Sequence, residues 1–255
     1  MKSSEFPESS KALSKGGAMA PAQSRCSPLL TPLAYFLGRR LVVPAYFGPI
    51  TITGQQHLPA SGPVILAPSH RARWDSILIP FAAGRLVTGR DLRFMVTADE
   101  VKGLQGWFIR RLGGFAVNVR RPTIASLRHG IDLLLDHEML VIYPEGGIRR
   151  DDRVRGFKPG LARLAVQAEA AAPGLGVQVL PVDIYYGEAY PSWRCPAQLH
   201  IGEPLPVAAY VQGQDSPEGL KTGATQLTHD LQARLEAMVA RRQAALGSPK
   251  SGRSQ

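Results

Sequence analysis

The chain of 255 residues lacks several features that define common classes of protein. Its two cysteines, Cys26 and Cys195, are too few for a disulfide framework and lack metal-ligand spacing, so a reducing compartment is the default. No uninterrupted apolar run reaches the roughly eighteen residues of a membrane span. The sequence also has no Walker loop, no dinucleotide glycine fingerprint and no Gly-x-Ser-x-Gly elbow, which argues against the commonest nucleotide-binding and serine-nucleophile chemistries.

The sequence has few acidic residues, with 20 Asp and Glu against 30 Lys and Arg, which gives a net charge of +10. Such a field favours anionic partners, which include nucleic acids, acidic lipid surfaces and phosphorylated substrates. The sequence shows no recognition helix, and its Tyr and Trp residues are not interleaved with the basic runs. We therefore expect a lipid surface or a phosphorylated substrate, and no nucleic acid.

The first part of the chain differs in composition from the rest. Residues 1–27 are rich in Ser, Pro, Gly and Lys without the apolar core of a signal peptide, which predicts a disordered tail. Residues 28–48 have apolar side chains at three- and four-residue intervals, which predicts an amphipathic helix broken near Pro44. This helix either packs on the domain or lies on a membrane with Arg39 and Arg40 at head-group level.

From residue 49 to residue 246 we predict one domain in which strands and helices alternate, followed by a frayed tail at 247–255. Such alternation indicates a sheet covered by helices, with ligands bound where strands end and helices begin. The predicted strands are Ile50–Thr53, Val64–Ala67, Leu92–Thr97, Phe115–Val119, Met139–Tyr143, Val177–Tyr186 and Gln198–Gly202. The predicted helices are Ser76–Ala83, Asp99–Leu112, Thr123–His137, Pro159–Ala171 and Pro217–Leu246.

The heptapeptide from Ser69 to Asp75 directly follows a predicted buried strand and contains the strongest candidate for catalysis. His70 with a carboxylate on one ring nitrogen is a general base suited to neutral pH, and the open alternative is a pair of solvated loop residues. Five residues of an ideal helix turn about 500°, which leaves the two side chains about 140° apart. His70 must therefore lie in the loop that enters the helix, or the helix must start irregularly.

Three further blocks follow in order: Gly113–Arg121, Tyr143–Arg150 and Val179–Ile184. Together with the His-x4-Asp block they resemble the glycerolipid acyltransferases of the lysophosphatidic acid acyltransferase family, over about residues 51–206. The resemblance implies an α/β fold with a mixed, largely parallel sheet flanked by helices, preceded by the amphipathic helix. It also implies that residues 49–246 form an acyltransferase domain.

The implied reaction moves a fatty acyl group from acyl-CoA or acyl carrier protein to the free hydroxyl of 1-acylglycerol 3-phosphate. The product is phosphatidic acid, an intermediate of phospholipid biosynthesis. No metal and no cofactor is implied beyond the acyl carrier, and the expected place is peripheral, on the cytoplasmic face of a membrane. Glycerol 3-phosphate or another lysolipid as acceptor, or a non-catalytic lipid-binding relative, stay open as alternatives.

The resemblance also assigns roles to particular residues. His70 takes the proton from the acceptor hydroxyl, and Asp75 fixes the tautomer of His70 and stabilises the imidazolium. Arg120, six residues after Gly114, holds the acceptor phosphate through its fork of donors, with Arg121 as the alternative if the register slips by one.

The third block departs from the family pattern Pro-Glu-Gly-Thr-Arg, because Gly147 replaces the Thr and the Arg comes one residue later, at Arg149 or Arg150. We expect Glu145 to bind a glycerol hydroxyl or to order the arginine network. Gly146 and Gly147 let the backbone approach the ligand closely. Arg149 and Lys158 are the expected phosphate ligands of this region. In the fourth block, Pro181 and Val182 either line the acyl channel or belong to a plain core strand.

Overall fold

The computed structural model describes residues 24–118, 124–214 and 216–247. Arg120 and Arg121 lie outside these ranges, as do most of the two predicted tails. The strands are β1 (Ile50–Thr53), β2 (Val64–Pro68), β3 (Leu92–Thr97), β4 (Gly114–Val117), β5 (Met139–Val141), β6 (Gln178–Tyr186), β7 (Ala197–Ile201) and β8 (Leu205–Pro206). The helices are α1 (Leu30–Leu37), α2 (Val43–Tyr46), α3 (Asp75–Ala83), α4 (Arg85–Thr88), α5 (Gly103–Arg111), α6 (Ile124–Leu135), α7 (Gly160–Ala171), α8 (Ala208–Val211) and α9 (Pro217–Gly247).

The strands form one sheet with the order β1-β7-β6-β2-β5-β3-β4, and β8 pairs with β6. The pairs β1–β7, β6–β2, β2–β5, β5–β3 and β3–β4 are parallel, whereas β6–β7 and β6–β8 are antiparallel. This confirms the predicted mixed, largely parallel sheet. Because β2, β5 and β6 run parallel side by side, the segments that follow them leave the sheet at the same edge.

The sheet is buried on both faces, as the continuous apolar sequence of β2 requires. Ile65 and Ala67 point into a core layer formed with α6, α7 and α9. Val64 and Leu66 point into the opposite layer, which contains residues of α3 and of the N-terminal helix. Successive strand residues face opposite sides, so this one strand contributes to both layers.

The predicted elements are present, with shifts at their ends. The helix predicted from Asp99 is divided into a 3-10 turn, Ala98–Glu100, and α5, and Gly103 at the start of α5 has a positive φ of 54°. The helix predicted from Ser76 begins one residue earlier, at Asp75. The strand predicted to reach Tyr143 ends at Val141, because the chain there turns towards Pro144.

The N-terminal helix is not broken at Pro44, contrary to the prediction. The chain stays helical from Leu30 to Tyr46, with a π-helical turn at Gly38–Val42 between α1 and α2. Pro44 lies in α2, directly after the π-helical turn, so the chain stays helical past the proline. Within the described residues no helix is long and apolar enough to cross a bilayer.

The long helix α9 packs on α7 and β6 through a stripe that includes Leu227, Leu231 and Leu235. Near its end, the buried guanidinium of Arg242 binds two carboxylates. Its Nε donates to Asp183 Oδ2 at 2.7 Å, and its two terminal nitrogens donate to Asp152 at 3.0 and 2.7 Å. Because Asp152 belongs to the loop after β5, this ion pair fixes that loop to the C-terminal helix.

We predict that Arg242→Met lowers the free energy of unfolding by about 3 kcal/mol, because it leaves the buried carboxylate of Asp183 without its cation. Urea denaturation measures this change. The control is Arg234→Met on the same helix, which breaks an exposed pair with Glu203 and should cost less than about 1 kcal/mol. Equal losses in the two variants would contradict the role of Arg242.

Candidate active site

The loop between β2 and α3 folds back on the first residue of the helix, which places His70 against Asp75. The Nδ1 atom of His70 lies 2.8 Å from Oδ2 of Asp75. The same oxygen accepts the backbone N–H groups of Arg71 at 2.7 Å and Ala72 at 3.0 Å. His70 lies in the entry loop, which is the first of the two arrangements that the sequence allowed.

Ser69 fixes the start of this loop to the neighbouring strand β6. Its backbone N–H donates to the carbonyl of Val182 at 2.9 Å, and its Oγ accepts the N–H of Ile184 at 2.9 Å. Ser69 is fully buried, and so is Asp75. The position of His70 is therefore determined from both sides, by strand β6 and by the start of α3.

Two tyrosines complete the surroundings of the His–Asp pair. The Tyr186 hydroxyl donates to Asp75 Oδ1 at 2.6 Å, and the Tyr143 ring stacks on His70 with 4.0 Å between ring centroids. Burial, followed by the nearby charge of Asp75, raises the pKa of both phenols, so both stay protonated. The sequence pattern indicates no role for either tyrosine, although Tyr143 opens the third block and Tyr186 follows the fourth by two residues.

The tautomer of His70 follows from its partner. A carboxylate only accepts hydrogen bonds, so Nδ1 carries a proton and Nε2 is the basic nitrogen. The imidazole is 19% exposed and forms part of the wall of a large cavity. The arrangement is that of a general base whose orientation is fixed by a buried acid.

The cavity has a volume of about 1020 Å³ and is lined mostly by apolar side chains; the part of its wall around His70 we call the polar end. At the polar end, His70 lies beside Tyr143, Gly146, Gly147 and Lys158. The apolar walls come from α3, β3 and α5 and include Ile77, Phe81, Phe94, Phe108, Ile109 and Leu112. Pro181 and Val182 are not part of these walls; both lie in β6, and Val182 belongs to the core, so the core-strand alternative describes them.

The segment 144–153, which we call the glycine loop, borders this polar end. Gly146 has a φ of +68°, and a Cβ atom at this position would lie 2.7 Å from Nζ of Lys158. The Lys158 side chain therefore lies directly over Gly146. The backbone N–H of Lys158 donates to the carbonyl of Pro144 at 2.9 Å. Only a glycine permits this close approach.

The structure does not bring Arg149 to the cavity in the predicted manner. Its side chain is exposed and is not part of the cavity wall, whereas its backbone N–H donates to the carbonyl of His70 at 2.6 Å. The alternative, Arg150, lies over the ring of Tyr190 at 4.5 Å. The one-residue insertion in this block thus turns the arginine side chains away from the cavity wall.

Glu145 is buried, with 4% of its surface exposed, and neither carboxylate oxygen has a partner in full hydrogen-bond geometry. The backbone N–H groups of Arg155 and His70 lie close enough to lower its pKa. Burial raises its pKa, and the guanidinium of Arg71 is the largest influence that opposes this rise. Because both oxygens are shielded from solvent, a direct contact with a glycerol hydroxyl would need the glycine loop to shift. The other predicted role, ordering the arginine network, stays a prediction.

Among the described residues, no three His, Cys, Asp or Glu side chains come together as metal ligands. The chemistry that the described groups offer is proton transfer at His70 beside a long apolar cavity. A base that removes the proton of a hydroxyl, next to space for a hydrocarbon chain, is the arrangement that acyl transfer to a lipid alcohol requires.

Comparison with known proteins agrees with this class. The acyltransferase family model matches residues 49–185, and the chain belongs to this family. A "1-acyl-sn-glycerol-3-phosphate acyltransferase" of Streptococcus pneumoniae is 24% identical over 174 residues, which are 66% of this chain and 59% of that protein. A protein of the same description from Chlamydomonas reinhardtii is 27% identical over 164 residues, 62% of this chain and 45% of that protein. The matches thus span less than two thirds of either relative.

A solved structure has the same fold. The 1-acyl-sn-glycerophosphate (LPA) acyltransferase PlsC from Thermotoga maritima superposes with a TM-score of 0.61 and 22% sequence identity. The match covers 84% of this chain and 80% of that one.

We predict that the stability of Glu145→Gln, relative to that of the wild type, increases as pH rises. The raised pKa means that folded Glu145 holds its proton more tightly than the unfolded chain does. Wild-type stability therefore falls as pH rises from the unfolded value, about 4.3, through the folded value. The neutral amide avoids this loss, so the stability of the variant relative to wild type should rise across that window.

Urea denaturation at a series of pH values measures this difference. The control is Glu169→Gln, since Glu169 is equally buried but accepts the N–H groups of Gly176 and Val177 at 3.2 and 2.7 Å. Its loss of a charged acceptor should destabilise the protein at neutral pH. A pH-independent difference for Glu145→Gln would show that its carboxylate is not strained by burial.

Proposed function

We propose that this protein transfers a fatty acyl group from acyl-CoA or acyl carrier protein to the free hydroxyl of 1-acylglycerol 3-phosphate. The product is phosphatidic acid, an intermediate of phospholipid biosynthesis. The observation that carries the proposal is the His70–Asp75 pair at the polar end of an apolar cavity of about 1020 Å³. The activity in the names of both curated relatives supports it.

In this reaction, Nε2 of His70 removes the proton from the acceptor hydroxyl as its oxygen attacks the thioester carbon. The new C–O bond forms, the C–S bond breaks, and the proton passes from His70 to the departing thiolate. Asp75 stabilises the imidazolium that exists between these steps, and its other hydrogen bonds keep the carboxylate in place. The thioester supplies the driving force, so no cofactor is needed.

The substrate phosphate belongs at the polar end of the cavity. The ammonium group of Lys158 lies over Gly146 and lines the cavity together with His70, and Arg73 and Arg163 also belong to the cavity wall. Arg120, which lies outside the described residues, stays a predicted phosphate ligand. The hydrocarbon chain would then extend along the apolar walls, where it is removed from water.

We further propose that the protein acts on the cytoplasmic face of a membrane as a peripheral enzyme. The start of α1 lies beside the end of α5, because the N–H groups of Arg25 and Ser27 donate to the carbonyls of Arg110 and Arg111 at 3.1 and 2.8 Å. Both helices expose apolar side chains: Leu29, Leu33, Phe36, Leu37 and Leu41 on the N-terminal helix, and Leu104, Trp107 and Phe108 on α5.

This apolar surface has the properties of a bilayer-binding face. Arg39 and Arg40 lie on the N-terminal helix and Arg110 and Arg111 on α5, so cations accompany the apolar side chains, as binding to anionic lipids requires. Phe108 belongs both to this surface and to the cavity wall. A lipid substrate can therefore pass from the membrane into the cavity along an apolar path.

The decisive test is acyl transfer from labelled acyl-CoA and acyl carrier protein, with His70→Ala beside the wild type. We expect phosphatidic acid from the wild type and a rate lower by about 10³-fold in the variant, since the base is lost. His229→Ala is the control, because this histidine is exposed on α9. A variant that keeps the wild-type rate would remove His70 from the mechanism.

The same assay separates the alternative functions. Glycerol 3-phosphate and other lysolipids are offered as acceptors in parallel with 1-acylglycerol 3-phosphate. Product from one of these only would change the substrate and keep the chemistry. A wild type that binds lysolipid but forms no product with either donor would identify a non-catalytic relative.

Membrane binding is tested by sedimentation with vesicles of neutral and anionic phospholipid. We expect Leu104→Asp, on the exposed face of α5, to lower partitioning into anionic vesicles by about tenfold, since one buried leucine is worth about 1.5 kcal/mol or more. Leu246→Asp changes an exposed leucine of α9 and should have no effect. Equal partitioning of both variants would exclude α5 from the membrane surface.

A further inference from the structure

Arg71 lies between the two parts of the candidate active site. It directly follows His70 in sequence, yet its side chain is only 4% exposed. Its Nη1 donates to the carbonyls of Arg149 at 3.3 Å and Arg153 at 3.1 Å, both in the glycine loop. Its Nε and Nη2 atoms are buried without a hydrogen-bond partner. A buried cation that leaves donors unused is costly unless an opposite charge lies nearby.

That opposite charge is Glu145, which is buried to the same extent and has no partner in full hydrogen-bond geometry. Arg71 is the largest influence that favours its ionised form, ahead of the backbone amides of Arg155 and His70 and the charge of Arg149. The two side chains do not hydrogen-bond to each other. The guanidinium of Arg71 thus opposes the effect of burial on the Glu145 carboxylate.

The backbone of Arg71 belongs to the loop between β2 and α3, which also contains His70. Its N–H donates to the same oxygen of Asp75 that binds His70, while the glycine loop returns a hydrogen bond from the N–H of Arg149 to the carbonyl of His70. A movement of the Arg71 side chain would therefore affect His70 in two ways: through the backbone of Arg71 and Asp75, and through the glycine loop at Arg149. Displacements of about 1 Å at such a site can cost about a hundredfold in rate.

We propose that Arg71 is a positioning residue, whose buried charge balances that of Glu145 and whose guanidinium holds the glycine loop against the His70–Asp75 pair. The proposal rests on the acyl transfer proposed above. It concerns a residue of the first block to which the family resemblance assigns no role. Arg71 acts through its neighbours and does not touch the substrate.

The test compares Arg71→Met, Arg71→Lys, Glu145→Gln and the double variant Arg71→Met/Glu145→Gln. In acyl transfer, Arg71→Met should lower kcat by about a hundredfold and leave KM for the acceptor within about twofold. Arg71→Lys keeps the charge and should recover part of kcat, although a point charge cannot hold both carbonyls as the planar fork does.

The charge balance has its own readout in urea denaturation, which needs no activity. The double variant should be more stable than Arg71→Met alone, because the uncompensated carboxylate is gone. This advantage should grow with rising pH, as the remaining carboxylate of Glu145 ionises. A merely structural arginine would give additive changes, so Glu145→Gln would gain the same stability, with the same dependence on pH, in the wild type and in Arg71→Met.

Arg90→Met is the matched control, because Arg90 also donates to backbone carbonyls, those of Pro59, Gly62 and His137, outside the glycine loop and the His70 loop. It should lower stability and leave kcat unchanged. Arg71 variants that keep the wild-type kcat, or a double variant no more stable than Arg71→Met, would overturn the proposal. If Arg71→Met does not fold, the kcat values of Arg71→Lys and Glu145→Gln decide whether Arg71 positions the glycine loop. A wild type without acyl transfer would refute the proposed function, and the stability comparison would still decide the charge balance.

Discussion

The arrangement of this site depends on one buried carboxylate. Asp75 accepts hydrogen bonds from the ring of His70, the backbone of Arg71 and Ala72, and the hydroxyl of Tyr186. Four donors stabilise its charge away from water, where an unpaired carboxylate would be prohibitive. The same contacts determine the course of the loop and the tautomer of His70. Asp75 thereby fixes both the loop that leads into α3 and the orientation of His70.

The sheet provides the fixed frame for this carboxylate. Strands β2, β5 and β6 are parallel neighbours, so the His70 loop, the glycine loop and Tyr186 meet at one edge although they are far apart in sequence. Ser69 attaches the first of these to β6. The two core layers keep the strands in register, and α9 adds a further restraint through Arg242 on the glycine loop.

The polar groups under the glycine loop are arranged differently from those around Asp75. Both oxygens of Asp75 are satisfied, whereas Arg71 and Glu145 keep unpaired atoms in the interior. Such groups reduce stability and persist in native proteins where function requires them. The contrast suggests a division of roles, in which the Asp75 network fixes the base and the Arg71–Glu145 pair holds the loop that borders the polar end of the cavity.

The sequence by itself determined the class of fold, the order of the elements and the identity of the His–Asp pair, because apolar periodicity and short motifs are local properties. It also set the geometric condition that His70 must lie outside the helix. Only the tertiary structure decided that Arg71 is buried, that Arg149 turns away from the cavity and that Tyr186 binds Asp75. These outcomes depend on which segments the parallel strands bring to the same edge, and a side chain's solvent exposure there follows from packing between residues distant in sequence.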